Sequence, residues 1–370
     1  MSTFFAPGRV NLIGEHTDYN GGFVFPCALD MGTTLTITSN SDRVLRFRSA
    51  NMPEVVEVPI DEAFQPLPNR LWANYPLGCI ALLSEKIGGL PCGYDMVFEG
   101  NVPQGAGLSS SASIEVVTAF AFNELLHAGL TRTQIAQLAQ ECEHRYAGVK
   151  CGIMDQFVSS WGKANHSIYL NCETLEFDYV PVRMDGISIV LTNSHSPHKL
   201  DAGTYNERVR ECEQAVAMIT KKLPIRRLAE LTTDVFNKVE HTLTDPTIHR
   251  RARHVVSECE RTRQAVRALQ SGDIVTFGQL MNASHCSLRD DYEVTGHNLD
   301  LLAETAWQVE GVLGSRMTGG GFGGCTVSLV RNEHIPAFRR IVGQRYKDET
   351  GIDAEFYVAK IGNGVSEIQG

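Results

Sequence analysis

Residues 103–113 read Pro-Gln-Gly-Ala-Gly-Leu-Ser-Ser-Ser-Ala-Ser, and this stretch is the strongest indication of the fold. Gly105 and Gly107 leave backbone amides uncovered, and serines follow at 109–111, where an apolar helical run over 114–126 begins. A helix N-terminus presents free N–H donors and a partial positive charge, so the arrangement suits a phosphate group. Because no Gly-Lys-Ser/Thr follows the glycines, amides, hydroxyls and a metal ion would hold the phosphate. The alternative is a loop whose serines only cap the helix.

Length and composition place limits on the class of protein. A chain of 370 residues favours two domains, and 43% hydrophobic with 21% charged residues is typical of a globular protein. The formal net charge of −10 argues against a surface for nucleic acid or anionic membrane. It leaves room for an anionic ligand, because local donors and metal ions decide such a contact.

Targeting and cysteine patterns favour a cytoplasmic protein. The longest apolar run is far shorter than a membrane span, and residues 1–5 lack a signal-peptide pattern. The ten cysteines are scattered without a Cys-x-x-Cys pair, so we expect reduced, mostly buried thiols and no zinc site.

Alternating strand and helix patterns predict an α+β fold. A capping box at Thr131 and Gln134 starts a helix that continues to Gly148. The alternation of strand and helix patterns begins again near residue 180, so we predict domains over 1–180 and 181–370. The remaining predicted segments are strands at 22–29, 33–38, 94–99, 187–192 and 352–359, and helices at 204–222, 247–270 and 298–310.

The second unusual segment is 6–19, Ala-Pro-Gly-Arg-Val-Asn-Leu-Ile-Gly-Glu-His-Thr-Asp-Tyr. It combines a cation, two carboxylates and an imidazole, and this mix of donors and acceptors fits the hydroxyls of a sugar. The alternative is a turn with solvated charges. The four side chains concerned are Arg9, Glu15, His16 and Asp18.

The third segment, Gly-Gly-Gly-Phe-Gly-Gly at 319–324, follows Arg316-Met-Thr. Glycine permits positive φ and a close approach of the backbone to a ligand or another loop. The alternative is a tight crossing between domains.

In this order, the motifs resemble those of galactokinases in the GHMP small-molecule kinase superfamily. The resemblance covers residues 6–360 and includes Cys-Gly-Ile-Met-Asp-Gln at 151–156. The motif at 8–19 is specific to galactokinases and their N-acetylgalactosamine kinase relatives, whereas the serine loop at 105–113 and the glycine segment at 316–325 occur across the superfamily.

The resemblance implies a two-domain α+β fold with the active site between its halves. The N-terminal half would be like domain 2 of ribosomal protein S5, and the C-terminal half would be ferredoxin-like. The implied activity is ATP-dependent phosphorylation of α-D-galactose at the C1 hydroxyl, the first committed step of the Leloir pathway. The alternatives are a kinase for N-acetylgalactosamine or arabinose, and a non-catalytic sugar sensor. A monomer or weak homo-oligomer is expected.

The resemblance also assigns catalytic roles. Asp155 is the implied base, since a carboxylate within hydrogen-bond reach can accept the proton of the attacking hydroxyl. Arg9 would lie beside it, favour its ionised form and offset charge on the transferred group. The alternative is a plain salt bridge between the two.

Binding roles follow in the same way. Ser111 and Glu143 are implied Mg²⁺ ligands, consistent with the preference of Mg²⁺ for a few hard oxygens plus phosphate and water. His16 could instead be structural, Glu143 a solvated helix carboxylate, and Trp72 a core residue. The implied sugar contacts are Arg9, Glu15, His16, Asp18, Gly152, Asp155 and Tyr205. The implied ATP contacts are Gly105, Ala106, Gly107, Leu108, Ser109, Ser110, Ser111 and Trp72, with Asn74 and Tyr75 beside Trp72.

The chain departs from the family pattern between residues 193 and 212. His198, Gly203 and Val209 stand where relatives typically have Arg, Ser and Arg. This segment leads into Tyr205, so the outer sugar contacts are the part that the resemblance constrains least. The five residues before Ala6 also form a shorter leader than relatives usually carry.

Overall fold

The computed structural model describes residues 1–69, 71–103, 105–196 and 202–368. Its strands are β1 Ser2–Asn11, β2 Phe23–Val24, β3 Pro26–Asn40, β4 Val44–Ser49, β5 Met52–Pro59, β6 Gly93–Gly100, β7 His166–Asn171, β8 Phe177–Pro181, β9 Ile187–Asn193, β10 Val312–Thr318, β11 Cys325–Arg331, β12 Glu355–Val358 and β13 Ser366–Ile368. Its helices are α1 Leu71–Ile87, α2 Ser110–Leu125, α3 Arg132–Cys142, α4 Met154–Trp161, α5 Ala202–Ile219, α6 Thr233–Val239, α7 Pro246–Gln270, α8 Ile274–Ser287, α9 Gly296–Trp307 and α10 Ile335–Thr350.

The strands form three sheets. A six-stranded sheet has the order β13-β1-β3-β6-β4-β5, in which only the β4–β6 pairing is parallel within the described residues. A four-stranded antiparallel sheet has the order β10-β11-β9-β12, and a three-stranded sheet has the order β2-β7-β8. The α+β class predicted from the sequence is confirmed.

Helix α2 is buried because it is apolar on nearly every face. It packs against α1, α3 and the six-stranded sheet, where Val116 and Phe122 meet Phe4 and Phe98 in one core. Each large apolar side chain buried in this way contributes roughly 1.5–3 kcal/mol. Helix α2 is therefore a rigid support for the loop that precedes it.

A second core joins the first motif to the distant part of the chain. Val10 of β1 and Leu12, just after it, pack with Phe277 of α8 and with Val327 and Leu329 of β11. The same elements bring the glycine segment after β10 against the loop before α2, so a cleft forms where the three sequence motifs meet.

The sequence patterns predicted most of the helices and strands. Where the structure differs from the prediction, the difference has a physical reason. The capping box at Thr131 is present, and Asp245 caps α7 by accepting hydrogen bonds from the amides of Thr247 and Ile248. The predictions of separate strands at 22–29 and 33–38 were wrong, because Pro26–Asn40 is one long strand that pairs along β1 across a bulge. The sequence also gave no sign that β13 returns to pair with β1.

The chain shows no helix, within the ranges described, that is long and apolar enough to cross a membrane. All ten cysteines are free thiols. His198 lies outside the described residues; Gly203 is exposed and Val209 is buried, both on α5.

Candidate active site

Asp155 lies in the first turn of α4, and its carboxylate accepts three hydrogen bonds. Arg9 Nε donates to Oδ1 at 2.8 Å, Arg9 Nη2 donates to Oδ2 at 2.8 Å, and Ser109 Oγ donates to Oδ2 at 2.5 Å. Such a bidentate pair fixes orientation as well as charge. Burial opposes charge on Arg9, but the carboxylates of Asp155 and Glu15 outweigh it, and the pKa of Arg9 is raised.

Arg9 also ties β1 to the loop at 105–109. Its Nη1 donates to the carbonyl of Gly107 at 2.7 Å, and its backbone N–H donates to the carbonyl of Leu108 at 3.1 Å. Gly8 permits this approach, since a Cβ there would lie 2.5 Å from the Leu108 oxygen. Hydrogen bonds through Arg9 thus join Asp155, β1 and the loop into one unit.

The serine at the start of α2 does not cap the helix with its side chain. Ser109 is the residue before the helix, yet its side chain makes no capping hydrogen bond and its hydroxyl turns to Asp155 instead. It has φ of 63°, a left-handed conformation that is uncommon for a residue with a side chain. Ser109, Ser110 and Ser111, at the start of α2, line the cleft, and a helix N-terminus is a favourable place for a phosphate.

Glu15 and His16 are held mainly by the glycine segment. Glu15 Oε1 accepts hydrogen bonds from the Gly319 amide at 2.7 Å and the Thr318 hydroxyl at 3.2 Å. His16 Nε2 contacts the Gly320 carbonyl at 3.2 Å, and Nδ1 contacts the Tyr19 hydroxyl at 2.9 Å. A carbonyl only accepts, so Nε2 carries the proton and Nδ1 accepts from the tyrosine.

Burial, with the nearby His254, lowers the pKa of His16 to about 3, so this imidazole is neutral at physiological pH. His16 makes these contacts and also lines the cleft. The sequence alternatives for His16, ligand or structural residue, are both compatible with this position.

Asp18, Gly152 and Tyr205 complete the same wall. A Cβ built on Gly152 would lie 2.1 Å from Asp18 Oδ2, so only glycine allows the carboxylate to occupy this place. The Tyr205 ring lies 5.7 Å from the His16 ring, measured between centroids. The six other predicted sugar contacts therefore line the same cleft as Asp155.

Ser111 and Glu143 both line the cleft, and the nearby Ser111 side chain favours the ionised form of the Glu143 carboxylate. Burial, followed by the charge of Asp155, raises the pKa of Glu143 to about 7. Nowhere in the described ranges are three or more His, Cys, Asp or Glu side chains grouped to hold a metal. One hydroxyl and one carboxylate nevertheless fit Mg²⁺, which takes one or two protein oxygens together with phosphate and water.

Apart from Trp72 and its neighbours Asn74 and Tyr75, the predicted site residues line one cleft: Arg9, Glu15, His16, Asp18, Gly105, Ala106, Gly107, Leu108, Ser109, Ser110, Ser111, Glu143, Gly152, Asp155 and Tyr205. Trp72 is not among its described lining residues, and its ring packs edge-on against Phe98. Asn74 clamps the backbone of Leu67, accepting from its N–H at 2.7 Å and donating to its carbonyl at 3.1 Å. Contact of Trp72 with adenine stays a prediction.

The glycine segment at 319–324 approaches the loop at 105–109 closely. Gly319 has φ of 85°, and a Cβ there would lie 2.7 Å from the Gly107 carbonyl oxygen. The segment lines the cleft and lies against Gly107, a position that is compatible with both alternatives.

Sequence reasoning missed Thr318, Arg316 and Glu115. Arg316 is fully buried and donates to the Asn11 carbonyl at 3.1 Å, which supports the motif at 6–19 from beneath. Glu115 is a fully buried acid in α2. A charge in the middle of an otherwise apolar stretch of helix was the available signal for Glu115.

Asp18 gives the protein a specific pH dependence. Burial, followed by the charge of Asp155, raises the pKa of Asp18 to about 7. Between its usual value and about 7, the folded protein keeps a proton that the unfolded chain has lost, so stability falls as pH rises through this window. Asp18→Asn should remove on the order of 2 kcal/mol of the decline in unfolding free energy between pH 5 and 8. Urea denaturation at both pH values measures it, and parallel profiles for the two proteins would contradict it.

Comparison with known proteins first identifies the class. The models for the GHMP kinases N terminal domain and the GHMP kinases C terminal match residues 74–163 and 265–348. A crystal structure of a mevalonate kinase shares the fold, with a TM-score of 0.71 at 18% identity over 98% of this chain and 99% of its own. The fold and cleft are those of a GHMP kinase.

The particular family follows from closer relatives. The galactokinase galactose-binding signature matches residues 2–39. The chain is 47% identical to the galactokinase of Fusobacterium nucleatum, covering 100% of this chain and 95% of the relative, and 46% identical to that of Clostridium beijerinckii, covering 99% and 95%. The crystal structure of Lactococcus lactis galactokinase complexed with galactose superposes with a TM-score of 0.96 at 42% identity, covering 99% of this chain and 95% of that one. The chain belongs to the galactokinase family.

Proposed function

We propose that the chain transfers the γ-phosphoryl group of ATP to the C1 hydroxyl of α-D-galactose. The observation that carries the proposal is the Asp155 carboxylate, fixed by Arg9 and Ser109 where the galactokinase signature meets the serine loop. The solved relative from Lactococcus lactis, which holds galactose, supports this choice of sugar.

The hydrogen bonds of Asp155 select the atom that takes the proton. Oδ2 already accepts from Arg9 and Ser109, whereas Oδ1 accepts from Arg9 Nε alone. A carboxylate oxygen has two lone pairs, so Oδ1 retains one for the attacking hydroxyl. Asp155 thus accepts the C1 hydroxyl proton at Oδ1, and Arg9 remains beside the transferred group to offset its charge.

Phosphate binding is proposed for the amides and hydroxyls of the loop at 105–111, with Ser111 and Glu143 as the protein ligands of Mg²⁺. When bound there, the ion would neutralise charge on the phosphate oxygens. Direct transfer needs no covalent intermediate on the protein, because positioning and charge stabilisation supply most of the catalysis in this type of reaction.

The wider organisation is also proposed. Domains over 1–180 and 181–370 are supported by the change of sheet between β8 and β9. A cytoplasmic location is supported by the ten free thiols. Small molecules are the proposed partners, acting on a monomer or weak homo-oligomer.

A coupled ADP-release assay with galactose, N-acetylgalactosamine and arabinose tests the function. We expect turnover with galactose and much slower turnover with the other two sugars. Preference for another sugar would reassign the acceptor, and galactose binding without turnover would favour the sugar-sensor alternative.

Ser111→Ala should raise the Mg²⁺ concentration needed for half-maximal activity about 10-fold, because one of two protein ligands is lost. A titration of Mg²⁺ at saturating galactose and ATP measures it. Ser113→Ala is the matched control, since Ser113 lies on the same helix but donates to the Ala6 carbonyl at 2.8 Å, away from the cleft. An unchanged Mg²⁺ requirement in Ser111→Ala would remove this residue from the metal site.

A further inference from the structure

Gln156 follows the proposed base on α4, and its side chain is fully buried. Its Nε2 donates to Glu143 Oε2 at 2.8 Å and to Glu115 Oε2 at 3.2 Å. An amide nitrogen carries two hydrogens, so both carboxyl groups can be bonded at once. One amide therefore bridges two acidic residues that lie on different elements.

The bridge connects the elements that carry the proposed machinery. Glu143 begins the π-helical turn Glu143–Ala147, which follows α3. Glu115 lies on α2, one turn after Ser111, so α2 carries one end of the bridge together with a proposed metal ligand. Helix α4 supplies both Asp155 and the bridging amide.

The backbone at Glu143 is irregular, so a contact such as the hydrogen bond from Gln156 is needed to hold its side chain in place. A π-turn departs from regular i to i+4 bonding and often occurs at functional sites. Without a fixed partner, a carboxylate at the edge of a cleft would sample several rotamers. The shorter of the two Gln156 hydrogen bonds is the one to Glu143, the carboxylate that lines the cleft.

We propose that Gln156 is a positioning residue that holds the Glu143 carboxylate in register with Ser111 and Asp155, with Glu115 as the buried anchor of the bridge. The proposal rests on the assignment of Glu143 as a metal ligand under the proposed function. Gln156 itself contacts neither substrate nor metal in this arrangement. Partners that orient a metal ligand in this way typically contribute 10–100-fold to metal affinity.

Gln156→Met tests the inference, because methionine has a similar length and shape but no hydrogen-bond donor. The readout is the dissociation constant of Mn²⁺ in the presence of ADP, measured by electron paramagnetic resonance without turnover. We expect Mn²⁺ affinity to fall at least about 10-fold. Galactose affinity, measured by calorimetry, should stay within about 2-fold, since Gln156 is not among the described residues lining the cleft.

Ser159→Ala is the matched control. Ser159 lies on the same helix, is buried and donates to the Pro7 carbonyl at 2.7 Å, so the variant loses a buried hydrogen bond without touching Glu143. Its Mn²⁺ affinity should equal that of the unmodified protein. If Gln156→Met does not fold, Gln156→Asn keeps the amide but withdraws it from Glu143, and the same loss of Mn²⁺ affinity is expected.

Glu143→Ala separates the two ways in which the idea can fail. Weak Mn²⁺ binding in Glu143→Ala, combined with unchanged binding in the Gln156 variants, would overturn the positioning role and leave the metal assignment intact. Unchanged Mn²⁺ binding in Glu143→Ala would overturn the metal assignment and the inference together. An equal loss in Ser159→Ala would also overturn the inference, because general disturbance of α4 would then explain the effect.

Discussion

Asp155→Asn should lower kcat by at least about 10²-fold, equivalent to about 2.7 kcal/mol of transition-state stabilisation. Asparagine has the same shape and can still face Arg9 and Ser109, but it cannot accept the proton of the C1 hydroxyl. Galactose affinity should therefore change by no more than a few-fold. The ADP-release assay gives kcat, and calorimetry gives the dissociation constant of galactose.

The exposed Asp178 on β8 provides the control for this substitution. Asp178→Asn makes the same chemical change far from the cleft and should leave both constants unchanged. Near-normal turnover in Asp155→Asn would refute the assignment of the base. A large loss of galactose affinity with little change in kcat would instead indicate that Asp155 mainly binds the sugar.

Gly152→Ala should weaken galactose binding by roughly 5–150-fold, the range that corresponds to a packing cost of 1–3 kcal/mol. The new methyl group would lie 2.1 Å from Asp18 Oδ2 and 2.2 Å from its Cγ, so the whole carboxylate must move away from its place in the cleft. Calorimetric titration with galactose in the absence of nucleotide measures the effect.

Gly100→Ala is the matched control for Gly152→Ala. The nearest described atom to a Cβ at Gly100 is Asn51 Oδ1 at 3.4 Å, an ordinary contact. This variant should bind galactose normally. Normal binding by Gly152→Ala would mean that the position of Asp18 does not determine sugar affinity.

Several local features were predictable from the sequence because neighbouring residues determine them. The capping box at Thr131 and the helix after the serine loop depend on interactions within a few residues. The residue types at 6–19 likewise suited the hydroxyls of a sugar before any contact was known. The family resemblance then supplied the activity and the roles, which local patterns alone left open.

Other features depend on contacts between residues far apart in the chain. Gly14 donates its backbone N–H to Glu258 Oε1 at 3.0 Å, a contact that spans 244 residues. Trp72 shows what a residue type leaves open, since a tryptophan suits an adenine wall and here also packs edge-on against Phe98. Hydrophobic burial is non-directional, so a residue type alone cannot select between two apolar surroundings.

The sequence alone determined which chemical groups are available: a carboxylate, a guanidinium, a serine loop at a helix start and glycines that permit close approach. Tertiary structure decided how they are used. It turned Ser109 from helix cap to partner of Asp155, and it linked Glu143 to Glu115 through the Gln156 amide. The physical reason is that hydrogen bonds act over about 3 Å, whereas Ser109 and Asp155 lie 46 positions apart in the chain, so only the packed fold brings donor and acceptor together.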